Sequence, residues 1–205
     1  MQNEYGISAR TMDLGPVSYE WMIITRPRGK KGLRSSKFGY MAFVEKHGAD
    51  LQSTRISAGM NEAGLTCDAH ALLGSQHPGH NDTLDNIDEQ YICQWALEGY
   101  SSVVDLKGGL SGVNFLASKN TDFQNQHWVF RDAQGQGLAI EFLQGRQEIY
   151  EDKNDDGVTG FGVFTNEPPL MWQIEAVRHL KWKQSLARPA LAMPGAWYPD
   201  SRFQR

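Results

Sequence analysis

Ser53-Thr54-Arg55-Ile56-Ser57-Ala58-Gly59-Met60-Asn61-Glu62-Ala63-Gly64-Leu65-Thr66-Cys67-Asp68-Ala69-His70-Ala71 reads as two strands and the turn between them. Residues 53–58 and 65–71 are short runs bounded by turn residues, and Asn61-Glu62-Ala63-Gly64 carries the Asn and Gly of a chain reversal. Residues 38–46 add a third strand, so this part of the chain is predicted to be an antiparallel meander. Working outward, residues 17–26 are apolar and rich in β-branched side chains, and residues 5–13 form a further short strand. Arg26-Pro27-Arg28-Gly29-Lys30-Lys31-Gly32 is a basic, solvated hairpin tip.

Beyond Ala71 the composition of residues 72–83 is that of a loop. The period then changes. Ile87, Tyr91 and Trp95 recur at helical spacing from Asp85 to a stop at Gly99. Ser101-Ser102 supplies an N-cap for a short helix through Leu106, closed by Gly108-Gly109. Residues 126–131, 137–143 and 146–150 are three strands joined by hairpin residues. Residues 171–187 form a helix with Trp172, Ala176 and Leu180 on one face, and Pro189 closes it. Strands, then helices, then strands, then a helix point to a layered α+β domain, read as a single unit over residues 1–205.

Composition narrows the function classes. The chain is 40% apolar and 21% charged, with 24 acidic against 20 basic residues and a net charge of −4. Nothing in that balance favours a nucleic-acid or anionic-membrane partner. Apolar runs such as Met22-Ile23-Ile24 are far too short to span a bilayer. No basic, apolar secretory leader is visible at Met1-Gln2-Asn3-Glu4, and cytoplasmic, periplasmic and secreted locations all stay open. The two cysteines, Cys67 and Cys93, make no disulfide framework and read as small buried hydrophobes. His70, His77 and His80 lack a carboxylate or thiol at ligand spacing and are not read as a metal site. Asp152-Lys153-Asn154-Asp155-Asp156-Gly157 begins like a calcium loop, but the position of the bidentate Glu is Val163; it reads as a solvated turn.

Four stretches carry the chemistry. In Ser8-Ala9-Arg10-Thr11-Met12-Asp13, Arg10 and Asp13 lie three apart, so a straight strand would aim them at opposite faces. Serving one site requires a bend, and Gly15-Pro16 supplies a break just after them. The others are Gly59-Met60-Asn61-Glu62-Ala63-Gly64-Leu65, Thr165-Asn166-Glu167-Pro168 and Asp200-Ser201-Arg202-Phe203-Gln204-Arg205. In this order, nearly end to end, they resemble the choloylglycine hydrolase and penicillin V acylase family. Its members are N-terminal-nucleophile (Ntn) amidases that cut linear amide C–N bonds.

The resemblance implies the four-layer αββα sandwich of the Ntn-hydrolase type, here expected to be incomplete at both ends and to fold poorly alone. It implies no cofactor, a small-molecule N-acyl amide as substrate, and room for a homo-oligomer in the full-length form. The family's N-terminal Cys attacks the amide carbonyl while its own α-amino group relays the proton. Arg10 is implied to be the cation beside the sulfur, and Asp13 the carboxylate that orients the α-amino group. Asn166 is implied to donate to the oxyanion. Arg202 is implied to sit under the site, paired with the carboxylate.

Three departures stand out. Where bile-salt hydrolases carry a second oxyanion Asn, counted from Gly64, this sequence has Ala71 with His70 beside it. Only a backbone N–H is offered there for substrate binding. No Cys precedes Cys67. The chain is therefore expected to be inactive for want of the nucleophile, with a non-catalytic acyl-amide-binding relative as the alternative. Leu14 follows Asp13 where many members have an aromatic residue, which reshapes the acyl pocket. The acyl candidates span penicillin V-like amides, N-acyl homoserine lactones, bile-salt conjugates and fatty-acid amides.

Overall fold

The computed structural model describes Ala9, Thr11 and residues 20–30, 35–46, 54–119, 125–152 and 164–187. Its largest element is a seven-stranded sheet, antiparallel throughout. In chain order the strands are β1 (Glu20–Arg26), β2 (Tyr40–Lys46), β3 (Thr54–Asn61), β4 (Thr66–Ala71), β7 (Gln126–Arg131), β8 (Gly137–Leu143) and β9 (Arg146–Asp152), adjacent in that order. The predicted meander is therefore present and extends to a second one. Between them lie α1 (Ile92–Gly99) and α2 (Val103–Gly109), with a small parallel pair of β5 (Asp85–Asp88) and β6 (Val113–Leu116). A long helix, α3 (Leu170–Ala187), ends the described chain.

Strand alternation assigns the two faces of the sheet. Ala42, Val44, Ile56, Cys67, Ala69, Trp128, Phe130, Leu138, Ile140 and Phe142 form the inner face, buried with Ile92, Trp95, Leu97, Val103 and Leu106 of the helices. Glycine at position 59 lets α1 approach closely, because a Cβ there would lie 2.8 Å from Leu97 Cδ1. The adjoining turn is locked by Asn61. Its Oδ1 accepts from the N–H of Ala63 and Leu65, and its Nδ2 donates to the carbonyls of Leu97 and Tyr100. Gly64 closes the turn at φ +85, the left-handed region that glycine tolerates. The Asn61–Gly64 motif thus joins the meander to α1.

Several expectations are corrected. Cys67 and Cys93 are joined in a disulfide that ties β4 to α1, with Cα atoms 5.5 Å apart. The inner-face register of Cys67 puts it directly beneath α1, which sequence spacing alone did not reveal. Residues 85–88 are a strand, not the first turn of a helix, because they pair with β6 and α1 begins only at Ile92. The strand 113–116 was not foreseen. Ser102 does cap α2, accepting from Asp105 N–H. In α3 the face of Trp172 and Leu180 is exposed, at 70% and 58%, while Leu170 and Ile174 pack against Val129 and Ala139. The predicted strand 5–13 lies almost wholly outside the described residues, as does most of the turn 152–157.

Candidate functional site

The outer face at the β4–β7–β8–β9 end of the sheet carries the candidate site. Residues 164–169 cross it between the sheet and α3. This segment is exposed from Thr165 to Pro168, includes a cis Glu167–Pro168 bond, and makes no ladder bonds. Its position comes from side chains and neighbouring backbone. Asn166 Oδ1 accepts the N–H of Ala71 at 3.2 Å, at the end of β4. Glu167 Oε1 accepts the N–H of Leu73 at 2.7 Å. From α3, Gln173 Nε2 donates to the carbonyls of Pro168 and Thr165 at 2.6 and 3.3 Å, and its Oε1 accepts Thr165 N–H at 3.1 Å.

Beneath the segment lies a buried acid–base pair. His127 Nδ1 is 2.8 Å from Glu141 Oε1, and both side chains are fully buried. The register explains the contact: Trp128 pairs with Ile140, so His127 and Glu141 face each other one position further along the antiparallel strands. His127 Nε2 meets the carbonyl of Thr165 at 3.0 Å. Glu141 Oε1 also accepts the N–H of Leu170 at 2.8 Å, while Oε2 is buried without a partner among the described residues. The neighbouring Tyr150 phenol is pushed up to about 12, first by burial and then by the charges of Glu141 and Glu148. Phe164 packs edge-on to His70, with ring centroids 5.1 Å apart, and lies 4.3 Å from the ring of His127.

Three of the expected site residues are therefore seen. Asn166, Ala71 and His70 come together at one end of the sheet, and the Ala71 N–H is engaged by Asn166. Arg10, Asp13 and Arg202 lie outside the described residues. With its oxygen turned to Ala71, the Asn166 carboxamide presents its Nδ2 end as the donor. Sequence reasoning missed His127, Glu141 and Gln173. A signal for the pair was present: a single Glu inside the apolar run Gly137–Leu143, opposite a His in the preceding strand. Of the loop histidines, His77 is bonded to the carbonyl of Phe115 and to Glu89, and His80 to Asp82. No group of His, Cys, Asp and Glu fit to hold a metal occurs among the described residues.

Comparison with known proteins agrees on one family. The family model for linear amide C–N hydrolases, choloylglycine hydrolase family, matches residues 2–205. A penicillin V acylase of Pectobacterium atrosepticum is 23% identical, over 98% of this chain and 55% of its own length. Among solved structures, a variant of conjugated bile acid hydrolase from Clostridium perfringens superposes with a TM-score of 0.66 and 22% identity, over 80% of this chain and 51% of that one. Penicillin V acylase from Agrobacterium tumefaciens gives a TM-score of 0.58 and 22% identity, over 86% and 51%. The fold is thus the α+β fold of the Ntn-hydrolase neighbours, with the large antiparallel sheet and few helices described above. The chain spans about half the length of these relatives.

Proposed function

We propose, for a chain that belongs to the choloylglycine hydrolase family of linear amide C–N hydrolases, that it carries the oxyanion-binding part of a site for N-acyl amides. The observation that carries this reading is the fixed Asn166 carboxamide: its Oδ1 is taken by Ala71 N–H, so its Nδ2 is the end offered to a developing negative charge. In the reaction a thiolate adds to the acyl carbonyl, and the carbonyl oxygen becomes the oxyanion that Asn166 stabilises. Collapse of the adduct expels the amine, which takes up a proton, and water then releases the acyl group from the thioester. Arg10 would hold the thiol ionised, Asp13 would orient the α-amino base, and Arg202 would pair with the carboxylate.

The nucleophile is the open part. Cys67 and Cys93 are the only cysteines in the sequence, and they are bonded to each other and buried. Neither supplies a thiolate. We therefore propose that these 205 residues alone bind an N-acyl amide without cleaving it, and that hydrolysis needs a cysteine from outside them. The second reading, equally compatible with this disulfide, is a non-catalytic acyl-amide-binding relative.

A titration with phenoxyacetamide, followed by nuclear magnetic resonance alongside an assay for amine release, tests both. Shifts of the Asn166 side-chain NH2 and of Ala71 without turnover support binding alone. Turnover that survives Cys67→Ser and Cys93→Ser overturns the need for an outside cysteine. No shift at Asn166 removes the site reading.

A further inference from the structure

We infer that the buried His127–Glu141 pair is the positioning element that fixes Asn166; this rests on the reading of Asn166 as the oxyanion donor. The ring of His127 faces an acceptor at each nitrogen, Glu141 Oε1 at 2.8 Å and the Thr165 carbonyl at 3.0 Å. With an oxygen at hydrogen-bond distance from each ring nitrogen, the imidazole is held at two points and cannot turn without losing both contacts. The pair is fully buried and uses its outer atoms on the backbone. His127 grips Thr165 and Glu141 grips Leu170, the two ends of the segment that contains Asn166.

Asn166 touches neither side chain of the pair in these contacts. It is held through its flanking backbone, and the contacts to Ala71, Leu73 and Gln173 then set its height over the end of β4. An exposed segment without ladder bonds belongs to the low-stability end of a fold unless something anchors it. An oxyanion donor must be in place before the charge develops. The pair supplies that anchor from beneath.

The molecule contains its own control. His77 bonds Glu89 Oε2 and the Phe115 carbonyl, each at 3.1 Å, and Glu89 Oε1 accepts Ser118 N–H. The chemistry is the same, but His77 stacks on inner-face Phe142 and holds the 76–80 loop to β6, not the Asn166 segment.

Hydrogen exchange on the 205-residue chain tests the assignment. In His127→Ala and in Glu141→Gln, the Ala71 and Leu73 amides should exchange about tenfold faster or more, with the β2–β3 ladder unchanged. His77→Ala should leave Ala71 and Leu73 as they are. Unchanged Ala71 and Leu73 in both outer-face variants, or equal loosening in His77→Ala, overturns the inference. Should the variants not fold, the wild-type spectrum decides. A low-field proton on the His127–Glu141 bridge, slow to exchange with solvent, is expected, and its absence overturns the pair's role. Loosened Ala71 in a protein that ignores phenoxyacetamide would sink the amide-binding reading and leave the positioning role standing.

Discussion

The two faces of the sheet are stabilised in different ways. The inner face is an apolar layer under α1 and α2, with Trp95, Phe115, Trp128, Phe130 and Phe142 all essentially inaccessible. Its stability is spread over buried area, about 25 cal/mol for each Å2. The outer face has only a small apolar patch, Val129 and Ala139 under Leu170 and Ile174, and relies beside it on a few polar contacts. Glu45 pairs with Arg55, both buried, and His127 pairs with Glu141. Between and beside them Ile23, Met41, Phe43 and Met60 are exposed, Ile23 to 61%. An apolar layer tolerates exchanges that keep its volume, whereas a buried pair fails when one partner goes. The candidate site sits on the face where single atoms matter.

The largest contrast should come from one substitution on each face. His127→Leu leaves Glu141 buried and uncompensated, and should lose about 3–5 kcal/mol in urea denaturation. Leu138→Met, on the inner face, should lose less than about 1.5 kcal/mol. Equal losses would erase the distinction. Next in size is the disulfide: Cys67→Ala with Cys93→Ala opens a link of sequence separation 26 and should lose about 3 kcal/mol. Because that link lies on the inner face, the Ala71–Asn166 contact should persist, which the Ala71 amide shift would report.

Alkali should act on both faces. Tyr40 is raised to about 12 by burial and by Glu98, against an opposing effect of Arg26; Tyr150 is raised to about 12 by burial, Glu141 and Glu148. In the unfolded chain a tyrosine ionises near pH ~10. The contribution of the neutral phenols is therefore complete below pH ~10 and is lost as pH climbs toward about 12. Denaturation midpoints should fall across that window, and Tyr40→Phe with Tyr150→Phe should flatten the decline; an unaltered slope would assign it to other groups. The smallest effect is expected at Met41→Thr or Phe43→Thr, within about 0.5 kcal/mol, because both side chains are exposed.

Alternation and turn residues made the meander and the α1–α2 pair legible, because those features are local. The Asn166 motif was legible as a resemblance. What escaped was whatever depends on how one element is set against another. Cys67 meets Cys93 only because β4 runs beneath α1. His127 meets Glu141 only because the hairpin after Arg131 sets them across from one another. The 85–88 strand escaped for the same reason: its partner, β6, lies beyond two helices. The stripe of α3 misled because periodicity marks an apolar face without saying what covers it, and here Trp172 points to solvent.

The proposed site stands or falls with Asn166, whose Oδ1 is fixed on Ala71 N–H and whose Nδ2 is left as the donor. A crystal structure of the chain with phenoxyacetamide bound tests it most directly. The amide carbonyl oxygen should lie at hydrogen-bond distance, about 3 Å, from Asn166 Nδ2, with Ala71 N–H still on Asn166 Oδ1. An amide bound elsewhere, or an Asn166 turned so that Nδ2 faces β4, would contradict it.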